Sequence, residues 1–536
     1  MERELTVTAE YLYLPICVGA AETKVEIFSA EAGGQKKRYE FMVPVAEAGT
    51  EASAKEAGNG SGQQQEHSAP AGSYHADYYA EVPVRELLGK RLIVRADAPD
   101  AFLQAIDNDK KRAPKQTERP VIHFTAETGW TNDPNGLIYA DGIYHFYFQY
   151  NPFHTVWNNM SWGHATSRDL LHWSWEDSVM FPDESGTMFS GCAVANEREL
   201  LGLPKEAILF YYTAAGGSNE WSKGVEFTQK IAYSLDGGKT LVKLEEPCLP
   251  TLFEENRDPK VYWHEETQAY VMALFLKGND YGIFRSEDLK HWEQTDHFTL
   301  EDAWECPDFF QLATPEGETC WFFWTADGFY YPGEFDGYHF RTDGVRHHGY
   351  VNTLPYAAQT YVGTAGRTVM IPWLRMENDG RHFTGAYGIP VELSCIKKEE
   401  GFLLLQMPVR ELMEQARPVE QSAIEENGRI HYIQSGAKKA LVFEIKAQQG
   451  YQGHFVLNIN GSRIEYVPES GKLVVEEEKY QAGCEHQKLL FLADDRILEV
   501  FFDDGMRMGA FVLKNTSVSL ETSLEGIAEY AVYEVE

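Results

Sequence analysis

The chain has 536 residues, with 43% hydrophobic and 13% aromatic residues and a formal net charge of −35. An acidic surface of this kind repels nucleic acid and anionic membranes, so neither is expected as a partner. No apolar run reaches the roughly 18 residues of a membrane-spanning helix, and a chain of this length suggests about three domains.

The first strand-like runs are LTVTAEYLYLPIC (5–17), KVEIFSA (24–30) and RYEFMVPV (38–45). Residues 45–73, rich in Gly, Ala, Ser, Gln and Glu, cannot bury much apolar surface and read as a flexible insertion. Strands resume at 78–87 and 91–97, and DNDKKRAPKQTERP (107–120) reads as a linker. Residues 1–117 are therefore expected to form an N-terminal β-rich module.

From residue 118 short strands alternate with turns and long helical periodicity is absent, which predicts an all-β fold. An internal echo refines this. ATSRDLLHW (165–173), AYSLDGGKTL (232–241) and FRSEDLKHW (284–292) share Ser-x-Asp followed by an apolar position, and GEFDGYHF (333–340) is a looser copy. Strand-rich repeats of about 40–50 residues suggest the blades of a β-propeller, here over 118–395. A linker with helical character at 409–421 is expected within 396–421. Tightly alternating runs across 422–536 predict a C-terminal β-sandwich.

Three acids sit among turn residues and aromatics. Asp133 lies in WTNDPNG, Asp258 in ENRDPKVYW and Glu305 in AWECPDFF. Each alone reads as an ordinary turn residue. On a propeller, however, three blades would bring them to one central funnel. Cleavage of a glycosidic bond needs one carboxylate at the anomeric carbon and a second carboxyl to protonate the leaving oxygen. Trp304, Cys306 and Pro307 around Glu305 suit an acid whose affinity for a proton is raised by desolvation. Asn132 and Asn135 suit an ionised Asp133. Arg257 would keep Asp258 charged and orient it toward sugar hydroxyls.

The motifs WTNDPNG (130–136), FQYNP (148–152), WNNMSWGH (157–164), SRDLLHW (167–173), FSG (189–191), RDP (257–259), ECPDFF (305–310), GEFDG (333–337) and YAAQTY (356–361) occur in an order that resembles glycoside hydrolase family 32, the invertase, inulinase and levanase family. LLFLADDRILEVFFDDG resembles the family's sandwich. The resemblance implies a five-bladed β-propeller followed by a β-sandwich, and release of terminal β-D-fructofuranosyl units from sucrose or short fructans with retention. It implies Asp133 as nucleophile, Glu305 as acid/base and Asp258 as the residue that holds fructose hydroxyls. Trp130, Asn132, Gln149, Trp157, Phe189, Ser190 and Arg257 match positions lining the fructose subsite. No metal and no cofactor is implied.

Thr131 stands where the family often has an aliphatic residue, and Val391 where Arg is common. The N-terminal module lies outside the resemblance; carbohydrate binding, shaping of the substrate rim and a homo-oligomer contact are its open roles. His145, His154, His164 and His172 match no metal-ligand spacing. Fructosyl transfer, hydrolysis of difructose-type sugars or sucrose 6-phosphate, and a non-catalytic carbohydrate-binding role remain as alternatives. The seven cysteines, scattered without a CxxC pair, and a beginning without a basic then apolar stretch lead to an expected cytoplasmic location.

Overall fold

The computed structural model describes residues 1–47, 74–108, 118–483 and 487–536. Most of the expected insertion, and the centre of the expected linker at 107–120, lie outside the described residues.

Five antiparallel sheets follow one another along the chain, each in simple sequential strand order at its centre. Their first strands are Gly129–Ala140, Thr187–Ala195, Arg257–His264, Asp308–Ala313 and Pro355–Thr360. These first strands pack against one another around a common axis, so each sheet is a propeller blade with its first strand innermost. Burial follows: Ile208–Ala215, behind the inner strand of blade two, is buried throughout, whereas the outer strand Glu293–Thr299 of blade three has no buried residue. The ring closes where Phe383–Thr384 pairs in parallel with Gly129 and Trp130, and Val362 bridges Ile138.

The repeated Ser-x-Asp is a blade-corner device. Ser167, Ser234 and Ser286 donate to Asp169, Asp236 and Asp288 at 3.1, 2.7 and 3.2 Å. Each Ser hydroxyl also accepts a backbone N–H, from Leu170, Gly238 and Leu289. Each Asp caps the next backbone N–H groups, as in an Asx-turn. In the looser copy Glu334 replaces the Ser, yet Asp336 still accepts from Tyr338 and His339.

The fifth blade runs further than the sequence suggests. Val391–Lys398 and Gly401–Pro408 form its outer hairpin, paired from Val391↔Pro408 to Lys398↔Gly401. Residues 396–408 are thus blade rather than linker, because the apolar run of 402–405 packs Leu403 and Leu404 inward. Helix follows only at Arg410–Gln415 and Gln421–Ile424. Beyond it a six-stranded and a seven-stranded sheet enclose a core that includes Phe443, Phe491 and Tyr466. The short strands Arg429–Ile433 and Ser519–Ser523 belong to the seven-stranded sheet.

At the junction of propeller and sandwich, His123 is fully buried between two acids of the sandwich. Its Nδ1 lies 3.0 Å from Asp494 and its Nε2 3.1 Å from Glu499. Asp494 also accepts the backbone N–H groups of Val121, Ile122 and His123.

The N-terminal residues form a four-stranded sheet (Glu2–Thr6, Arg91–Ala96, Glu22–Glu31, Gly34–Pro44), a strand pair (Tyr11–Ile16, Tyr78–Pro83) and one short helix, Asp100–Ala105. Their core takes in Phe153 and Phe181 from the propeller. Phe41 stacks on Phe153 at 4.1 Å between ring centroids.

Candidate active site

The acids stand where the inner strands break regular pairing. Blade one shifts register between Thr131 and Pro134, blade two between Met188 and Gly191, blade three between Arg257 and Lys260, and blade five between Tyr356 and Gln359. Bulges of this kind re-aim side chains. They turn Asn132, Asp133, Ser190 and Asp258 away from the ladder. Blade four supplies Glu305 and Cys306 just ahead of its inner strand. Asp258 and Cys306 adopt φ of +63° and +50°, a left-handed conformation that costs of order 1–3 kcal/mol outside glycine. The Asp-Pro pairs therefore do more than turn the chain.

Cys306 links the two aspartates. Its Sγ lies 3.4 Å from Asp133 Oδ2 and 3.4 Å from Asp258 Oδ2, and its backbone N–H donates to Asp258 Oδ2 at 3.1 Å. One thiol carries one hydrogen, so it serves one carboxylate at a time. Asp133 also accepts from Ser190 Oγ at 2.7 Å and from Asn132 Nδ2 at 3.3 Å. Arg257 grips Glu305 Oε2 through Nε and Nη2, at 3.0 and 2.9 Å, and lies 3.7 Å from Asp258. Tyr356 donates to Glu305 Oε1 at 3.0 Å. Both oxygens of Glu305 are thereby fixed.

Arg257 serves Glu305 and Asp258 but makes no ion pair with Asp133. Burial, then the nearby Glu305 carboxylate, pushes Asp133 above the usual carboxylate range, while Ser190, Asn132 and Cys306 pull it back. Burial also raises Asp258; Arg257 opposes this, and Glu305 and Asp133 add to it. Burial works against the charge of Arg257, but Asp258 and Glu305 outweigh it and hold the guanidinium protonated. Burial drives the Cys306 thiol well up, with Asp133 and Asp258 adding to it. The thiol is therefore a neutral donor rather than a nucleophile.

The remaining residues singled out in the sequence fall into three positions. Trp130 donates to Asn132 at 3.0 Å and packs edge-on against Trp373. Trp157 is exposed and meets Phe189 edge-on at 6.1 Å, forming part of the rim. Gln149 lies on the second strand of blade one and bonds to none of these residues. It is buried, and both ends of its amide lack a protein partner.

Sequence reasoning missed several supports. Tyr356, which fixes Glu305, and Gln359, which donates to the carbonyl oxygens of Cys306 and Pro307, both lie in YAAQTY, a motif noted without roles. Thr213 receives the backbone N–H of Asp258 at 3.0 Å and donates to Gln229 at 2.7 Å. Tyr387 donates to the carbonyl oxygen of Asn132. No local signal marks Thr213 or Tyr387, since each acts across blades. The histidines also resolve: buried His145 and His164 stack with 3.1 Å between ring nitrogens, and His172 pairs with Asp169 at the blade corner. Among the described residues no three His, Cys, Asp or Glu side chains are grouped to hold a metal ion.

A five-bladed propeller with clustered axial acids, joined to a sandwich, defines a class of glycoside hydrolases. The model of the glycosyl hydrolases family 32 N-terminal domain matches residues 123–408, and the chain belongs to that family. A levanase from Bacillus subtilis is 33% identical over 329 residues, covering 55% of this chain and 47% of the levanase. The chain spans about half the length of the curated relatives it matches. Among solved structures, an exo-inulinase from Aspergillus awamori superposes with a TM-score of 0.68 at 24% identity, over 79% of this chain and 99% of that one. A family 32 glycoside hydrolase from Bifidobacterium adolescentis superposes with a TM-score of 0.65 at 18% identity, over 99% of this chain and 98% of that one. The N-terminal module therefore has a structural counterpart in that protein.

Proposed function

We propose that this chain is a retaining β-fructofuranosidase that releases terminal β-D-fructofuranosyl units from sucrose or short fructans. The observation that carries the reading is the convergence of Asp133, Asp258 and Glu305 around Cys306 and Arg257. Asp133 attacks the anomeric carbon and forms a fructosyl ester. Glu305 gives its proton to the departing oxygen, then takes one from the water that hydrolyses the ester. Asp258, steadied by Arg257 and the Cys306 N–H, accepts hydrogen bonds from fructose hydroxyls. The unpartnered amide of Gln149 supports a polar ligand nearby, because a buried amide without partners costs about 1–3 kcal/mol. The levanase and exo-inulinase names of the relatives agree with this substrate class.

The test is incubation of purified protein with sucrose, 1-kestose, inulobiose, inulin and levan, followed by chromatography of the products. Fast fructose release from the short sugars and slow release from polymer is the expected outcome. Release from none would overturn the reading. Cytoplasmic residence belongs to the same proposal. The six described cysteines are all unpaired, and cell fractionation tests it.

A further inference from the structure

The acids and their donors form a small, largely buried floor: Asn132, Ser190, Arg257 and Asp258 are all less than a tenth exposed. Sugar units beyond the first must therefore rest on the rim. Three apolar side chains stand out of that rim on the side of blades one and two, Val156 at 45%, Trp157 at 53% and Val225 at 42% exposure. Each lies on the loop joining the second and third strands of its blade, residues 152–160 and 216–227. Phe189, next to Ser190, sits between the loops, 6.1 Å from Trp157 and 5.6 Å from Phe227.

The N-terminal module holds both loops. On the first, Asn159 exchanges two hydrogen bonds with the backbone of Met42, at 2.8 and 2.9 Å, and Asn158 donates to Glu22 at 2.9 Å. On the second, the buried carboxylate of Glu40 accepts the backbone N–H of Trp221 at 3.0 Å. Glu40 is fixed in turn by Lys37 at 2.6 Å, whose ammonium lies 5.3 Å from the centre of the Trp221 ring. One strand, Gly34–Pro44, at the edge of its sheet, thus grips both loops through the backbone of Met42 and the side chain of Glu40, two residues apart.

We infer that strand Gly34–Pro44 fixes the substrate rim on the side of blades one and two, with Glu40 as a positioning residue for recognition of units beyond the first fructosyl. This rests on the fructosidase reading above. Glu40 touches no reacting atom. It sets where the 216–227 loop and its apolar face stand relative to Trp157, and so acts on binding of longer sugars.

The experiment compares Glu40→Ala, Glu40→Gln and Glu22→Ala with the unmodified chain on methyl β-D-fructofuranoside, sucrose and nystose. Glu40→Ala should raise KM for nystose about fivefold relative to that for the methyl fructoside, with little change in kcat. Glu40→Gln keeps an acceptor for the Trp221 N–H and should restore most of the difference. Glu22→Ala removes only the exposed bond to Asn158, leaves the core intact, and should give a shift of about twofold in the same direction. Equal losses on all three substrates, or an unchanged ratio in both alanine variants, would overturn the inference while leaving the fructosidase reading intact. No turnover of any of the three by the unmodified chain would sink both.

Discussion

Two buried clusters of acids lie at different places in this molecule, and they are built on opposite terms. At the junction of propeller and sandwich, Asp494 and Glu499 enclose His123. Asp494 accepts three backbone N–H groups besides the imidazole, and its carboxyl is held below the usual range despite burial. Burial disfavours the imidazolium, but the hydrogen bonds and charges of both acids prevail and lift His123 to about 9. At the propeller axis Glu305 and Asp258 share Arg257, Asp133 has no cation of its own, and both aspartates are pushed upward. Both clusters are charged, the joint fully buried and the axial one open to solvent at Glu305, whose side chain is 24% exposed. One has donors enough for its charges and serves as a joint; the other is short of them and is ready to exchange a proton or form a bond.

The sharpest way to separate the two is substitution. Asp133→Asn should cost about a thousandfold or more in kcat without lowering the melting temperature, since it removes a buried charge that repels Glu305. His123→Ala should do the reverse. It leaves two buried acids unpaired at the junction, and loss of a buried pair costs about 3–5 kcal/mol. Urea unfolding should record that loss, while KM for sucrose stays near its original value under native conditions.

The joint also predicts a pH dependence of stability. Folded His123 keeps its proton to about pH 9, while the unfolded chain loses it near 6.5. Its contribution is complete below 6.5 and is lost as pH rises through 9, on the order of 3 kcal/mol in full. Asp494, depressed in the folded state, contributes above the unfolded carboxylate range and loses its contribution in acid. Melting temperatures should therefore decline from neutral toward alkaline pH, and His123→Ala should flatten that decline.

The smallest effect is expected from Cys306→Ala. The thiol is one of the donors that pull Asp133 back down. Without it Asp133 holds its proton to higher pH. The acid limb of kcat/KM should move upward by a few tenths of a pH unit, with only modest loss at neutral pH.

Much of the candidate site is legible in the sequence because it is local. Asp133, Asp258 and Glu305 each sit in a short turn-rich motif ahead of an aromatic strand, and the Ser-x-Asp echo marks blade corners whose hydrogen bonds close within four residues. What stayed hidden is non-local. Thr213 reaches Asp258 across 45 positions, and Tyr356 reaches Glu305 across 51. The His123 joint spans more than 370. No spacing rule encodes such contacts. The fifth blade was cut short at 395 because one blade edge and a linker share the same charged turn residues. The placement of strand Gly34–Pro44 beside the rim depends on packing of Phe41 on Phe153, which alternation alone does not reveal.

The most direct test of the central claim is to look for the fructosyl ester on Asp133. The Glu305→Gln variant, incubated with a fructosyl donor whose leaving group needs no proton, should form the ester and hydrolyse it slowly. Denatured-protein mass spectrometry should then show a gain of one dehydrated hexose, and peptide mapping should assign it to the segment containing Asp133. An adduct on another residue, or steady turnover of sucrose by Asp133→Asn at the rate of the unmodified chain, would contradict the account.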